Sequence, residues 1–323
     1  MKTRKFRKSM LSTLVILMAA VLSLTGATYA WFTTGDSATV SNISAGVESG
    51  TGLLISTDAS NWSSVADIKI SESSTFVYKT LSSAGNVTNG ELDIFTAALN
   101  TANQKINGIA AADKTATGAG EASRNGGYVA FDIYFNNANG PAKNISIGNI
   151  DITSTSANTR AFRIAFIKQG EAAVNSMGDD YTSTLKALKL TSGTATIYEP
   201  MATSHITNGV KDYQTNYNSA AAGDSKFEYY GIKAAPESLL TDVERYVGKY
   251  TDGAYVAGTS DYLAKVETKT DTADTYFTLS ENSYTKITVV IWLEGQDADC
   301  LNEISGGSFA VTLGFTASAV AAQ

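Results

Sequence analysis

A chain of 323 residues with 43% hydrophobic content is long and apolar enough to bury a core, which excludes a disordered chain. Charged residues make up only 17%, and Gly, Ser, Thr and Asn fill the gaps between short apolar runs, a bias toward strands and turns. The formal charge of −7 opposes attachment by charge to phosphate backbones or anionic lipid, so neither nucleic acid nor a membrane surface is expected as an electrostatic partner.

The first thirty residues have three parts. Lys2, Arg4, Lys5, Arg7 and Lys8 form a basic head without an acid, Leu11–Leu24 is apolar, and Gly26-Ala27-Thr28-Tyr29-Ala30 closes the segment with small residues at −3 and −1. This is the layout of a secretory signal peptide cleaved between Ala30 and Trp31. The apolar run falls short of the roughly twenty residues a transmembrane helix needs. Five of the 24 bases lie in this leader, so the mature chain has 19 bases against 31 acids, a formal charge of −12. The C-terminal Ala321-Ala322-Gln323 has no hydrophobic tail or basic stop before it. The expectation is a secreted protein without a membrane anchor after cleavage, held at a surface by non-covalent contact or self-association.

The stretch Gly26-Ala27-Thr28-Tyr29-Ala30-Trp31-Phe32, the polar turn Thr33–Asp36 and Ala38-Thr39-Val40 followed by Ala45-Gly46 resemble the export signal and mature N-terminus of the TasA/camelysin-type matrix proteins. The resemblance implies processing by an ER-type signal peptidase, a Gram-positive cell-surface or biofilm-matrix location and a β-sandwich fold. In that family the corresponding segment is donated to a neighbouring subunit. The resemblance therefore implies a fibre-forming assembly segment carried by Trp31, Phe32, Val40, Ile43 and Val47.

Period-two alternation dominates the mature chain. Tyr128–Phe135 sets Val129, Phe131, Ile133 and Phe135 against Tyr128, Ala130, Asp132 and Tyr134, as a half-buried strand requires. Ile145–Ile152 slips phase at Gly148-Asn149, which predicts a bulge at Gly148. Arg160–Ile167 sets Phe162, Ile164 and Phe166 against Ala161, Arg163 and Ala165. Thr194–Tyr198, Ile287–Leu293 and Ser308–Thr316 follow, with shorter candidates earlier at Leu53–Ser56, Ile68–Ile70 and Thr75–Leu81. The expected fold is all-β: a single two-sheet antiparallel, jelly-roll-like sandwich over residues 31–323. One or two short helices are expected in inserted segments, at Pro236–Tyr250 and Glu91–Thr101. Residues 201–284 are polar and rich in tyrosine, and read as an insertion whose rings either pack the excursion or form an adhesive face.

A second resemblance joins Arg160–Phe166, Thr196–Pro200 and Val290–Cys300 with Gly306-Gly307. It is similar to a pattern in exported proteins with the same signal type, and it implies a shared sandwich and no activity.

Catalytic chemistry has little to work with. The one histidine, His205, lies in a polar stretch, and neither a hydrolytic triad nor a two-histidine zinc site can be assembled around it. Cys300 has no cysteine partner and reads as a half-buried small hydrophobe or a reactive thiol. Glu294, Asp297 and Asp299 lie within one loop, and Asp179-Asp180 form another pair. The three-residue group is the candidate calcium site, although without EF-hand spacing these carboxylates serve equally as turn formers. No catalytic residue or other cofactor is expected. The sequence thus points to a structural surface protein, with a surface- or glycan-binding adhesin and a secreted hydrolase as alternatives.

Overall fold

The computed structural model describes residues 44–49, 53–69, 80–100, 105–117, 122–124, 127–154, 161–174, 181–199, 229–237, 240, 248–251, 254–257, 261–269, 271–297 and 309–320. They form an all-β fold built on two facing sheets. One has five strands in the order Phe277–Leu279, Lys143–Ser154, Phe309–Ala319, Ser44–Ser49 and Val65–Lys69. The other has nine, centred on Ser283–Glu294, which pairs antiparallel with Tyr128–Asn137 on one side and Phe162–Ala173 on the other.

The alternating apolar residues meet between the sheets. Val129, Ile133, Ile164, Val289 and Ile291 from the larger sheet pack with Ile145, Ile147, Val311 and Leu313 from the smaller one. Four phenylalanines knit the layers through tilted or edge-on contacts: Phe135 lies 5.1 Å from Phe277 and 5.2 Å from Phe315, and Phe166 lies 6.2 Å and 6.0 Å from the same two rings. Edge-on geometry suits the ring quadrupole and adds to the area buried. The phase slip at Gly148 is a bulge: the register with Phe309–Ala319 shifts between Ile147 and Asn149. A Cβ at Gly148 would come within 2.5 Å of Thr316 Cγ2, so the extra residue must be small.

Three expectations need correction. First, Tyr128–Asn137 is not half-buried. Tyr128, Ala130 and Tyr134 on its second face are buried as well, because the outer face of the larger sheet is covered. Leu81, Val87, Leu92, Ile94 and Ala112 pack there against Ala165, Ile167, Val290 and Trp292 in a second core. Second, the sandwich is not wholly antiparallel. Ser44–Ser49 runs parallel to Phe309–Ala319, and Thr268–Lys269 and Thr80–Leu81 also join the larger sheet in parallel. Each parallel pair is separated by a long stretch of chain, as parallel pairing requires.

Third, Glu91–Thr101 is not a helix. Glu91–Leu92 and Phe95–Asn100 are strands, and Phe95 and Ala97 face inward with period two. Asn89 and Gly90, at φ 50° and 75°, form the two-residue turn between Asn86–Thr88 and Glu91–Leu92. At the second helix candidate, Gly248–Thr251 is a strand paired with Ala254–Ala257, and Pro236, Glu237 and Leu240 are not helical. The rest of that candidate lies outside the described residues. The helix among the described residues is Tyr181–Ala187, anchored by buried Leu185.

The segment read as inserted contributes to both sheets, through Thr268–Lys269 and Phe277–Leu279. Its tyrosines divide: Tyr230 is buried in the main core and Tyr262 is half-buried, while Tyr213 and Tyr217 lie outside the described residues.

A second bulge, at Gln169, falls where the register with Ser283–Glu294 shifts between Lys168 and Gly170. Glu171 follows it and staples this strand to the next turn. Its carboxylate accepts from Ser280 N–H at 2.9 Å, Ser280 Oγ at 2.6 Å and Thr285 Oγ1 at 2.9 Å, and pairs with Lys168 Nζ at 3.0 Å. Partial burial pushes its pKa up, but the Ser280 bonds and Lys168 outweigh this and hold it below the ordinary value of 4.5. A depressed carboxylate pKa adds stability that is complete above the unfolded value and is lost as pH falls through the folded one. Urea midpoints should therefore drop on acidification below pH 4.5, and the gap between the wild type and Glu171→Gln should close over the same range. A gap that does not change with pH would contradict this role.

Candidate functional site

Two chain segments connect the same ends of the two sheets. Residues 155–161 lead from Lys143–Ser154 to Phe162–Ala173, and residues 295–308 lead from Ser283–Glu294 to Phe309–Ala319. At this end Ser154 pairs with Phe309 in one sheet and Phe162 with Leu293 in the other. Two features stand here.

The first is a buried ionic cluster. Arg163 is the second residue of its strand and points away from the main core, where a simple sandwich would expose it to solvent. It is instead completely buried: side-chain exposure is 0% for Arg163, 7% for Glu199 and 0% for Asp297. Arg163 Nη2 lies 2.9 Å from Glu199 Oε1 and 2.6 Å from Asp297 Oδ2, and Nη1 donates to the Phe162 carbonyl at 3.0 Å. Glu199 accepts a further bond from Thr268 Oγ1 at 2.6 Å. One guanidinium thus ties together the start of Phe162–Ala173, the end of Thr196–Tyr198, the parallel strand Thr268–Lys269 and the turn after Ser283–Glu294. The planar five-donor fork of Arg suits such a junction; the ammonium of Lys would act only as a point charge.

Glu294, also fully buried, does separate work. Its Oε2 accepts from Trp292 Nε1 at 2.9 Å and Ser83 N–H at 3.3 Å, and its Oε1 from Gln296 N–H at 3.0 Å. Glu294 and Asp297 are therefore neighbours whose side chains serve different partners, and Asp299 lies outside the described residues. No three His, Cys, Asp or Glu side chains converge to hold a metal among the described residues.

The second feature is the slot filled by Ser44–Ser49. This strand lies inside the five-stranded sheet, with Ala45, Val47 and Ser49 in register with Val311, Leu313 and Phe315 on one side. On the other side Ala45 and Val47 are opposite Ile68 and Ala66. Of the residues expected to form an assembly segment, Val47 is in this strand. Trp31, Phe32, Val40 and Ile43, together with the cleavage residues Ala30 and Trp31, lie outside the described residues, as do His205, Cys300 and Asp179-Asp180.

Sequence reasoning missed the Arg163–Glu199–Asp297 cluster. Its members are 36 and 134 residues apart, and only the alternation placing Arg163 beside Ala161 and Ala165 hinted at a covered face. Comparisons with family models, with curated proteins and with solved structures each found no match. The chain is an all-β sandwich with a layer packed over its larger sheet.

Proposed function

We propose that the chain is the non-catalytic subunit of an exported surface or matrix assembly that grows by exchange of its N-terminal strand. The observation that supports this most directly is the position of Ser44–Ser49: inside a sheet, between the last strand and Val65–Lys69, and parallel to the last strand. Parallel ladders are slightly weaker per residue than antiparallel ones. It precedes every other described strand in the chain, and it leaves by breaking its two ladders. Departure opens a slot bordered by two unpaired strand edges, which the same segment of another copy fills with main-chain hydrogen bonds. Head-to-tail exchange of this kind does not close on itself and produces filaments. Signal-peptide removal at Ala30 frees the donor segment.

The test is negative-stain microscopy of mature protein beside a form lacking Trp31–Val47, with folding of both checked by circular dichroism. Filaments are expected from the full mature form alone. Filaments from the truncated form, or a full-length form that stays monomeric across concentration, calcium and pH, would rule the mechanism out.

A further inference from the structure

Three aromatic rings from distant parts of the chain meet on the outer side of the larger sheet. Trp62 follows the strand Leu54–Ser56, Tyr181 opens the helix, and Tyr284 is the second residue of Ser283–Glu294. Trp62 and Tyr284 have ring centroids 5.3 Å apart and tilted by 40°, and Tyr181 stacks on Tyr284 at 5.9 Å and 19°. All three pack against a small satellite core of Ala59, Tyr134, Ala172 and Leu185, yet each keeps part of its surface in solvent.

The loop beside them is fixed in shape. The Asp58 carboxylate accepts from Ser56 Oγ at 2.8 Å, Ser60 N–H at 2.9 Å, Asn61 N–H at 2.8 Å and Asn61 Nδ2 at 2.6 Å. Ala59 adopts a φ of 62° and is fully buried, so the loop turns sharply and presents Ser60 and Asn61 to solvent next to Trp62. The backbone N–H of Asn61 is the largest of the influences that hold the Asp58 carboxyl far below its usual range. One nearby cation, Lys286, is taken up by Asp132 at 3.1 Å and the Lys186 carbonyl at 2.9 Å.

A roof over a four-residue core needs only apolar area. This one combines flat amphipathic rings, a rigid rim of hydroxyl and amide groups and a fixed negative charge. Stacked nucleobases also suit aromatic rings, but their phosphates would meet Asp58 and an acidic chain. A pyranose offers an apolar C–H face for the rings and equatorial hydroxyls for the rim, without an anionic group to repel. We propose that Trp62, Tyr181 and Tyr284, with the Ser60-Asn61 rim, form a binding site for a neutral polysaccharide. None of its residues belongs to the five-stranded sheet, although the loop carrying Trp62 leads into Val65–Lys69, so binding is read apart from filament formation.

The test is affinity electrophoresis of the mature protein through gels containing laminarin, mixed-linkage glucan, galactomannan or soluble starch, with alginate and a proline-rich peptide as contrasting ligands. Retardation by at least one neutral polysaccharide is expected. Trp62→Ala and Tyr181→Ala should each weaken it about tenfold, while Tyr262→Ala leaves it unchanged. A second measurement needs no substitution: the retarding polysaccharide should protect Trp62 of the wild type from N-bromosuccinimide oxidation, read by peptide mass. No retardation by any neutral polysaccharide, retardation only by alginate or the peptide, or oxidation of Trp62 at an unchanged rate would overturn the proposal.

Discussion

Replacing Arg163 by alanine is expected to remove about 3–5 kcal/mol of folding stability, a large share of the roughly 5–15 kcal/mol that holds a typical domain together. The substitution leaves Glu199 and Asp297 buried without the guanidinium that lies 2.9 Å and 2.6 Å from them. The penalty is that of stranded buried carboxylates, which exceeds the net worth of the ion pairs themselves. The combined variant Arg163→Met, Glu199→Gln, Asp297→Asn should therefore be more stable than Arg163→Ala alone. Urea unfolding followed by tryptophan fluorescence measures both. A loss below about 1 kcal/mol for Arg163→Ala would place the site in the range of exposed ion pairs and contradict its burial.

Trp292→Ala is expected to cost a similar amount, about 3–5 kcal/mol, for a different reason. The largest fully buried side chain of the described residues is removed from the second core, leaving a cavity between the larger sheet and its cover. The indole N–H bond to Glu294 goes with it. Trp292→Phe separates the two effects by keeping most of the packing and losing the donor, and it should cost about 1–3 kcal/mol. Arg163 and Trp292 sit directly opposite one another on paired strands, so the double variant should depart from additivity. Additive losses would mean that the cluster and the second core are energetically separate.

Both residues mark where the sequence was and was not legible. The main core was open to reading because each sheet presents one apolar face to it: Phe162, Ile164 and Phe166 repeat with period two, as do Val129, Phe131, Ile133 and Phe135. Even the bulge at Gly148 shows in the sequence as a break in phase. The covering layer does not. It is built from residues such as Val87, Leu92, Ile94, Ala112 and Val266, outside the strands they cover, and alternating positions such as Arg163 and Asp132 look like an ordinary solvent face. Ala165 and Ala130 were the available hint, since small apolar residues on the supposed wet side leave room for a cover.

The Glu91–Thr101 misreading has a simpler cause. Leu92, Phe95 and Leu99 satisfy helical spacing, but the Asn89-Gly90 turn and the inward pair Phe95 and Ala97 favour strands, and period two prevails once tertiary partners exist. The candidate site was partly legible. Val47 falls in the strand whose slot supports the assembly reading, and Glu294 and Asp297 are buried at that end of the sandwich, but their partners lie too far along the chain for sequence alone to supply.

Strand exchange requires Ser44–Ser49 to change partner between monomer and assembly, and the register of that strand reports the change. Val47 is opposite Leu313, so cysteines at these two positions, in a Cys300→Ser background, report which chain occupies the slot. Mature Val47→Cys, Leu313→Cys protein oxidised before assembly should run on a non-reducing gel as a monomer with one internal disulfide. The same protein assembled first and oxidised afterwards should give a ladder of covalent multimers that collapses on reduction. If the assembled material yields only the internally bridged monomer, the strand stays in its own subunit and exchange is not how this protein assembles.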